Sequence, residues 1–206
     1  MRTSDSRPTA TPLVAGFHAR GKLPHLKHEG AAYFVTFRLA DSLPAEAIVK
    51  LKAQREAIVE HARAAKRPLT WAEEQRVFLW YCEKIEKLLD AGTGDCWLRR
   101  PDIAALVSKA LNYFVKERYE LRAWVVMPNH VHAVVWPMPG YCLSQIEHSW
   151  KSYTATQANR ILGLAGAFWQ KESYDHWIRD DDERARVCDY VVNNPVKAGL
   201  CARPQD

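Results

Sequence analysis

No two of the five cysteines lie close enough to form a C-x-x-C pair. Cys82, Cys96, Cys142, Cys188 and Cys201 are odd in number and widely spaced, which argues against a disulfide framework and against a cysteine zinc site. Free, mostly buried thiols are expected. No apolar run approaches the roughly 20 residues that span a bilayer, and the opening MRTSDSRPTATPLVAGFHARGK contains no apolar core of a secretory leader. The expectation is a cytoplasmic protein with no membrane partner. Internal repeats and low-complexity tracts are also missing. Neither sign of charge dominates, since 29 Lys and Arg stand against 24 Asp and Glu. The net charge of +5 permits attraction to a polyanion without requiring it.

What is present reads as one ordinary globular domain: 206 residues suffice for a single well-buried core. Residues 1–30 are rich in Pro, Thr, Ser and Gly and carry five Lys/Arg against two acids; they read as a basic N-terminal arm. Residues 31–206 read as one domain. Its first strand is AAYFVTFRL, residues 31–39, followed by a helical insertion at about residues 44–100. That insertion holds PAEAIVKLKAQREAIVEHARAAK and a second helix from Thr70, capped with Glu73, running to Gly92. Residues 49–67 are again basic, with six Lys/Arg against two acids.

Beyond the insertion, Ile103, Leu106, Val107, Ala110, Leu111, Phe114 and Val115 recur at helical spacing. YELRAWVVM and HVHAVVW then read as strands joined by the turn residues Pro128 and Asn129. Ser144 and Glu147 predict the start of a helix with Ile146, Trp150, Tyr153, Gln157 and Ile161 as its stripe. YDHWIR is a short strand, and a last helix is expected from Asp181 to Asn194, stopped by Pro195. This order predicts an α+β fold, a ferredoxin-like sandwich with an antiparallel sheet and helices on one face.

The chemistry begins with VVMPNHVHAVVW, residues 125–136. Alternation along a strand puts His130 and His132 on one face and Val131 and Ala133 on the other. Neutral imidazole is the commonest metal-ligating side chain, and a rigid strand fixes two of them before any ion arrives. Two ligands leave an ion open, so a third group is required. In the last helix Tyr190 and Asn194 are four residues apart and share a face. Asn194 is a candidate third ligand, with Asn193 as the neighbouring alternative. By ligand softness two imidazoles would also accept zinc.

Taken together, AWVVMPNHVHAVVWP, SWKSYTATQANRILGLAGAFWQKESYDHWIRD and YVVNNPVKAGL resemble the REP-associated tyrosine transposases, within the HUH single-strand nucleases. YFVTFRL extends the resemblance to roughly residues 20–204, and the insertion is longer than in the smallest relatives. The resemblance implies that His130 and His132 are the HUH pair, that Asn194 completes a Mg2+ or Mn2+ site, and that Tyr190 is the nucleophile. Tyr174 and Tyr153 are the rival nucleophiles; position 178, four beyond Tyr174, is Ile and offers no ligand. The implied activity is metal-dependent cleavage and transfer of single-stranded DNA at hairpin-forming repeated palindromes, through a 5′-phosphotyrosine. A hairpin-binding protein of the same fold without catalysis is the alternative. Both a monomer and a homodimer are compatible with either. Arg20, Lys22 and Lys27 of the arm, with Arg99, Arg100, Lys109 and Arg122, are candidates for following DNA phosphates, and Trp or Tyr rings for stacking on bases.

Overall fold

Alternation in the strands decides which side chains meet which helices. The computed structural model describes residues 16–20, 23–27, 30–64, 80 and 83–205. In chain order the strands and helices are β1 (Gly16–Arg20), β2 (Leu23–Lys27), β3 (Ala32–Arg38), α1 (Ala45–Ala64), a helical segment at 83–90, and a 3-10 turn (Trp97–Arg99). They continue with α2 (Pro101–Asn112), β4 (Tyr119–Val126), β5 (His130–Pro137), α3 (Leu143–Leu162), β6 (Tyr174–Ile178) and α4 (Asp181–Lys197).

Four strands form one antiparallel sheet in the order β4-β5-β3-β6. With α2 and α3 this is the β-α-β-β-α-β plan of ferredoxin-like folds. On one face Tyr33, Val35 and Phe37 of β3 and Val131, Ala133 and Val135 of β5 join Ile103, Val107 and Leu111 of α2 and Ile146, Trp150 and Ala158 of α3. Burial of each large apolar side chain here contributes about 1.5–3 kcal/mol. The polar atoms of this layer are paired: Trp150 Nε1 donates to Tyr119 Oη at 2.8 Å, and Tyr119 donates to the Leu111 carbonyl at 2.8 Å. The expected antiparallel sheet with helices packed on one face is thus present, and α4 lies on the other face, against Phe34, Ala123 and Val134. That second face carries the histidines.

Three local expectations change. The stripe of α3 runs Ile146, Trp150, Thr154 and Ala158, while Tyr153 and Ile161 are 48% and 45% exposed. Thr154 tolerates burial because its hydroxyl donates to the Trp150 carbonyl at 2.6 Å and accepts from Trp169 Nε1 at 2.8 Å. The cap of α3 is Cys142 with Gln145, two residues earlier than Ser144 and Glu147. Pro195 does not stop α4, which continues to Lys197. A proline at that point forfeits a single N–H donor, and the final turn is still closed by Ala198 N–H to Asn194 O at 2.9 Å and Leu200 N–H to Pro195 O at 2.9 Å.

Within the N-terminal arm β1 pairs antiparallel with β2. The expected cap of the second insertion helix, Thr70 with Glu73, lies outside the described residues, whereas its end is the helical segment 83–90. Among the described residues no helix is long and apolar enough to cross a membrane.

Candidate active site

Thr36 of β3 pairs with His132 of β5, and Arg38 with His130. Because paired residues share a face, both imidazoles project toward α4, and both are fully buried. Each ring is held from behind. His130 Nδ1 lies 2.8 Å from Asn129 Oδ1, and the Asn129 amide donates to the carbonyls of Leu89 at 3.2 Å and Thr93 at 3.0 Å. With its NH2 so committed, Asn129 presents oxygen to His130, which must carry its proton on Nδ1 and leave Nε2 bare. His132 Nδ1 lies 2.8 Å from Thr36 Oγ1, and Phe34 stacks on the same ring at 5.3 Å. The two Nε2 atoms face each other at 3.0 Å. One proton satisfies that contact when His132 carries it on Nε2 and the Thr36 hydroxyl donates to Nδ1. A hydroxyl can reverse its role, so the same frame also supports a His132 with a bare Nε2.

A third group enters from the insertion. Glu86 Oε2, on the helical segment 83–90, lies 3.4 Å from His132 Nε2, and its side chain is 15% exposed. The same oxygen accepts a short hydrogen bond from the Tyr190 hydroxyl of α4. One ligand atom from each of Glu86, His130 and His132 fits within 4.8 Å of the others. The electrostatics follow the packing. Burial, with some help from His132, holds His130 well below the ordinary imidazole range, so it is neutral. Burial works against ionisation of Glu86, yet His132 and the hydrogen bonds from His132 and Tyr190 outweigh it and bring the carboxyl down to about 2. Burial and then the Glu86 carboxylate push the Tyr190 phenol well up.

Asn194, one turn beyond Tyr190, is 1% exposed, and neither its Oδ1 nor its Nδ2 has a hydrogen-bond partner among the described residues. Unpaired buried amides are rare in native proteins; this one lies one turn from Tyr190, whose ring meets that of His132 at 5.7 Å, and its oxygen would add a further donor to two imidazoles and a carboxylate that share one point. The residues therefore fit a divalent cation. Asn193 differs: its amide is exposed and donates to the Asp189 carbonyl at 2.8 Å. Of the rival tyrosines, Tyr174 sits edge-on to Phe34 at 6.0 Å on the histidine face. Tyr153 is on α3, across the sheet.

The basic candidates do not gather at the histidines. Arg99, Arg100 and Lys109 are exposed on the 3-10 turn and α2, and α2 packs on the opposite face. Arg100 is paired with Asp102 at 2.8 Å. Arg122 occupies a bulge in β4, on the α4 side with Trp136, and pairs with Glu120. Arg20 and Lys27 lie on β1 and β2, and Lys22 lies outside the described residues. Conversely, the sequence reading missed Glu86, Asn129 and Thr36. Glu86 precedes the buried Leu89 by three residues, so a carboxylate on the apolar face was a signal that could have been followed.

Residues 98–194 match the family described as Transposase IS200 like. The chain is 31% identical over 88 residues to the REP-associated tyrosine transposase of Escherichia coli (strain K12), a match covering 43% of this chain and 51% of that protein. It thus spans about half the length of that curated relative. A solved structure of the REP-associated tyrosine transposase bound to a REP hairpin aligns with a TM-score of 0.48 at 17% identity, covering 90% of this chain and 78% of that one. Glu86 and Thr36 lie outside the matched stretch. Over residues 98–194, which hold His130, His132, Tyr190 and Asn194, the chain matches the IS200-like transposases, and it resembles the REP-associated tyrosine transposases.

Proposed function

We propose that the protein is a metal-dependent single-strand DNA endonuclease and strand transferase, acting on hairpin-forming repeated palindromes through a 5′-phosphotyrosine intermediate. The observation that carries this reading is the meeting of the Tyr190 hydroxyl with Glu86, His132 and His130 at one buried point between α4 and the sheet. The resemblance to REP-associated tyrosine transposases supplies the substrate class. His130 and His132, with Asn194, would hold Mg2+ or Mn2+; when bound, the ion would bind phosphate oxygens and offset the charge that develops on them.

The chain's own groups do the rest. The Tyr190 oxygen attacks phosphorus in line, a bond to the tyrosine forms, and the bond to the 3′-oxygen breaks. The phenol proton leaves along the hydrogen bond to Glu86 and, in the net reaction, ends on the released 3′-hydroxyl. The phosphoester bond energy is kept in the tyrosine link, so another 3′-hydroxyl can reverse the step without ATP. Asn129 and Thr36 hold the two rings from behind throughout. The non-catalytic hairpin binder is disfavoured by the completeness of this set.

The test is incubation with Mg2+ and oligonucleotides carrying the palindromes that flank the gene, followed by a denaturing gel. A covalent protein-DNA adduct that disappears in Tyr190→Phe is expected. Hairpin binding with no adduct in any divalent metal would leave the binder, and an adduct mapped to Tyr174 would move the nucleophile.

A further inference from the structure

We infer that Glu86 is a ligand of the same ion as His130 and His132, and that its carboxylate also sets the Tyr190 hydroxyl beside that ion. This rests on the metal-dependent reading above and adds a residue from outside the stretch matched by the family. The argument is geometric. Nitrogen and oxygen ligands sit about 2.0–2.2 Å from a small divalent cation, so neighbouring ligand atoms lie roughly 3–4 Å apart. The His130 and His132 Nε2 atoms are 3.0 Å apart, and Glu86 Oε2 is 3.4 Å from the latter. Two of the three separations are already coordination spacing, and all three donor atoms lie within 4.8 Å of one another.

The carboxylate is also delivered by a fixed element. Leu89, one turn after Glu86, is 1% exposed. The carbonyls at the end of the segment, Leu89 and Thr93, are held by the amide of Asn129, the same side chain that orients His130. Just beyond, Asp95 N–H donates to Asp41 Oδ2 at 2.7 Å. Gly94, at φ +90°, packs so closely on Asp41 that a Cβ would stand 2.8 Å from its carbonyl oxygen; only glycine fits there. Asn129, just before the strand that carries the histidines, and Asp41, just past β3, thus latch to the sheet the chain that leads out of the Glu86 helix. Since one oxygen meets both His132 and Tyr190, the insertion would complete the ion's ligand set and aim the nucleophile with a single side chain. Asn194 then takes a further position on the ion, and two imidazoles with a carboxylate favour Mn2+ among the hard cations.

The experiment is calorimetric titration of Mn2+ into the full chain without DNA, for wild type, Glu86→Gln, Glu86→Asp and His132→Ala, each checked for a native melting transition. Glu86→Gln is nearly isosteric and can still accept from Tyr190. It should weaken Mn2+ binding at least tenfold, Glu86→Asp should weaken it less, and adduct formation at saturating Mn2+ should remain slowed in both. Wild-type affinity in Glu86→Gln, with binding lost in His132→Ala, would overturn the role of Glu86 and leave the histidine centre standing. No Mn2+ binding by the wild type would overturn both.

Discussion

The Oδ1 of Asn129 stands 2.8 Å from His130 Nδ1 while its amide nitrogen donates to two carbonyls from residues 36 and 40 positions earlier in the chain. One side chain therefore joins the seating of the helical segment 83–90 to the tautomer of a site histidine. Outer partners of this kind commonly change metal affinity by about 10–100-fold when removed.

Asn129→Ala is accordingly expected to do two things at once. It leaves the His130 N–H and the carbonyls of Leu89 and Thr93 without this partner, at about 1–3 kcal/mol for each group stranded in the interior, so the melting temperature falls. It also frees the His130 ring to rotate or change tautomer, so Mn2+ affinity falls about tenfold or more. A variant that melts earlier yet binds Mn2+ like wild type, measured well below its transition, would limit Asn129 to packing.

Tyr190→Phe removes one oxygen and keeps the ring, which packs edge-on to Phe34 at 5.9 Å and to His132 at 5.7 Å. Stability should change little, because the lost hydrogen bond is offset by the release of a buried, charge-facing phenol. Hairpin and metal binding should persist, while cut strand and covalent adduct vanish together. Strand cleavage by Tyr190→Phe at near wild-type rate would contradict the nucleophile assignment.

The sheet was readable because its strands are apolar and rich in aromatic and β-branched residues: Tyr33 to Phe37 and His130 to Val135 are buried on both faces, with successive side chains on opposite sides at the two-residue period of a strand. The same period placed His130 and His132 together, and the helical period placed Asn194 one turn from Tyr190. Glu86 was hidden for a different reason. Its partners are 46 and 104 residues away, and no local pattern reports a contact between an inserted helix and a sheet. The end of α4 is less legible, because Pro195 lacks one N–H while the carbonyls of Asn194 and Pro195 still accept from Ala198 and Leu200 and carry the helix to Lys197.

In the first turn of α4, Glu183 ties that helix to β6. It accepts from His176 Nε2 at 2.9 Å and from Arg179 Nε at 3.1 Å, and its own N–H donates to the capping Asp180. Burial opposes its charge, but the Arg179 side chain, the Arg179 backbone N–H and His176 overcome that and lower the carboxyl from 4.5 to about 2. A carboxyl depressed on folding stabilises the folded state above its unfolded pKa, and that stabilisation fades as pH drops from about 4.5 toward 2. Glu183→Gln should therefore melt a few degrees below wild type at neutral pH, and the gap should narrow through that acid window. A gap that stays constant down to pH 2 would show that the ionised form contributes nothing.

Deletion of residues 1–27 removes five Lys/Arg. If the arm follows DNA phosphates, affinity for a hairpin with single-stranded flanks should fall, and the dependence of log Kd on log salt should flatten by up to several units, since each lost phosphate contact removes about one. Fluorescence anisotropy at several salt concentrations measures both, and an unchanged slope would show the arm to be passive.

Thr36 gives the sharpest separation of shape from hydrogen bonding at this site. Its hydroxyl is 5% exposed as a residue and meets His132 Nδ1 at 2.8 Å. With its proton on Nε2, between His130 Nε2 and Glu86 Oε2, His132 leaves Nδ1 bare, and the Thr36 hydroxyl then donates. An ion on both Nε2 atoms requires His132 to move its proton to Nδ1, and Thr36 must then accept. Serine can do both, and valine neither. Thr36→Ser removes only a methyl group and should bind Mn2+ within a few-fold of wild type. Thr36→Val keeps the shape of the side chain and the propensity of the strand, so the sheet should hold, but it strands Nδ1 in either state. Mn2+ affinity in Thr36→Val should fall about 10–100-fold, with hairpin binding in EDTA unaffected. Equal Mn2+ affinity in the serine and valine variants would mean that the ring is held by Phe34 and Tyr190 alone, and that the hydroxyl plays no part in preparing His132 for an ion.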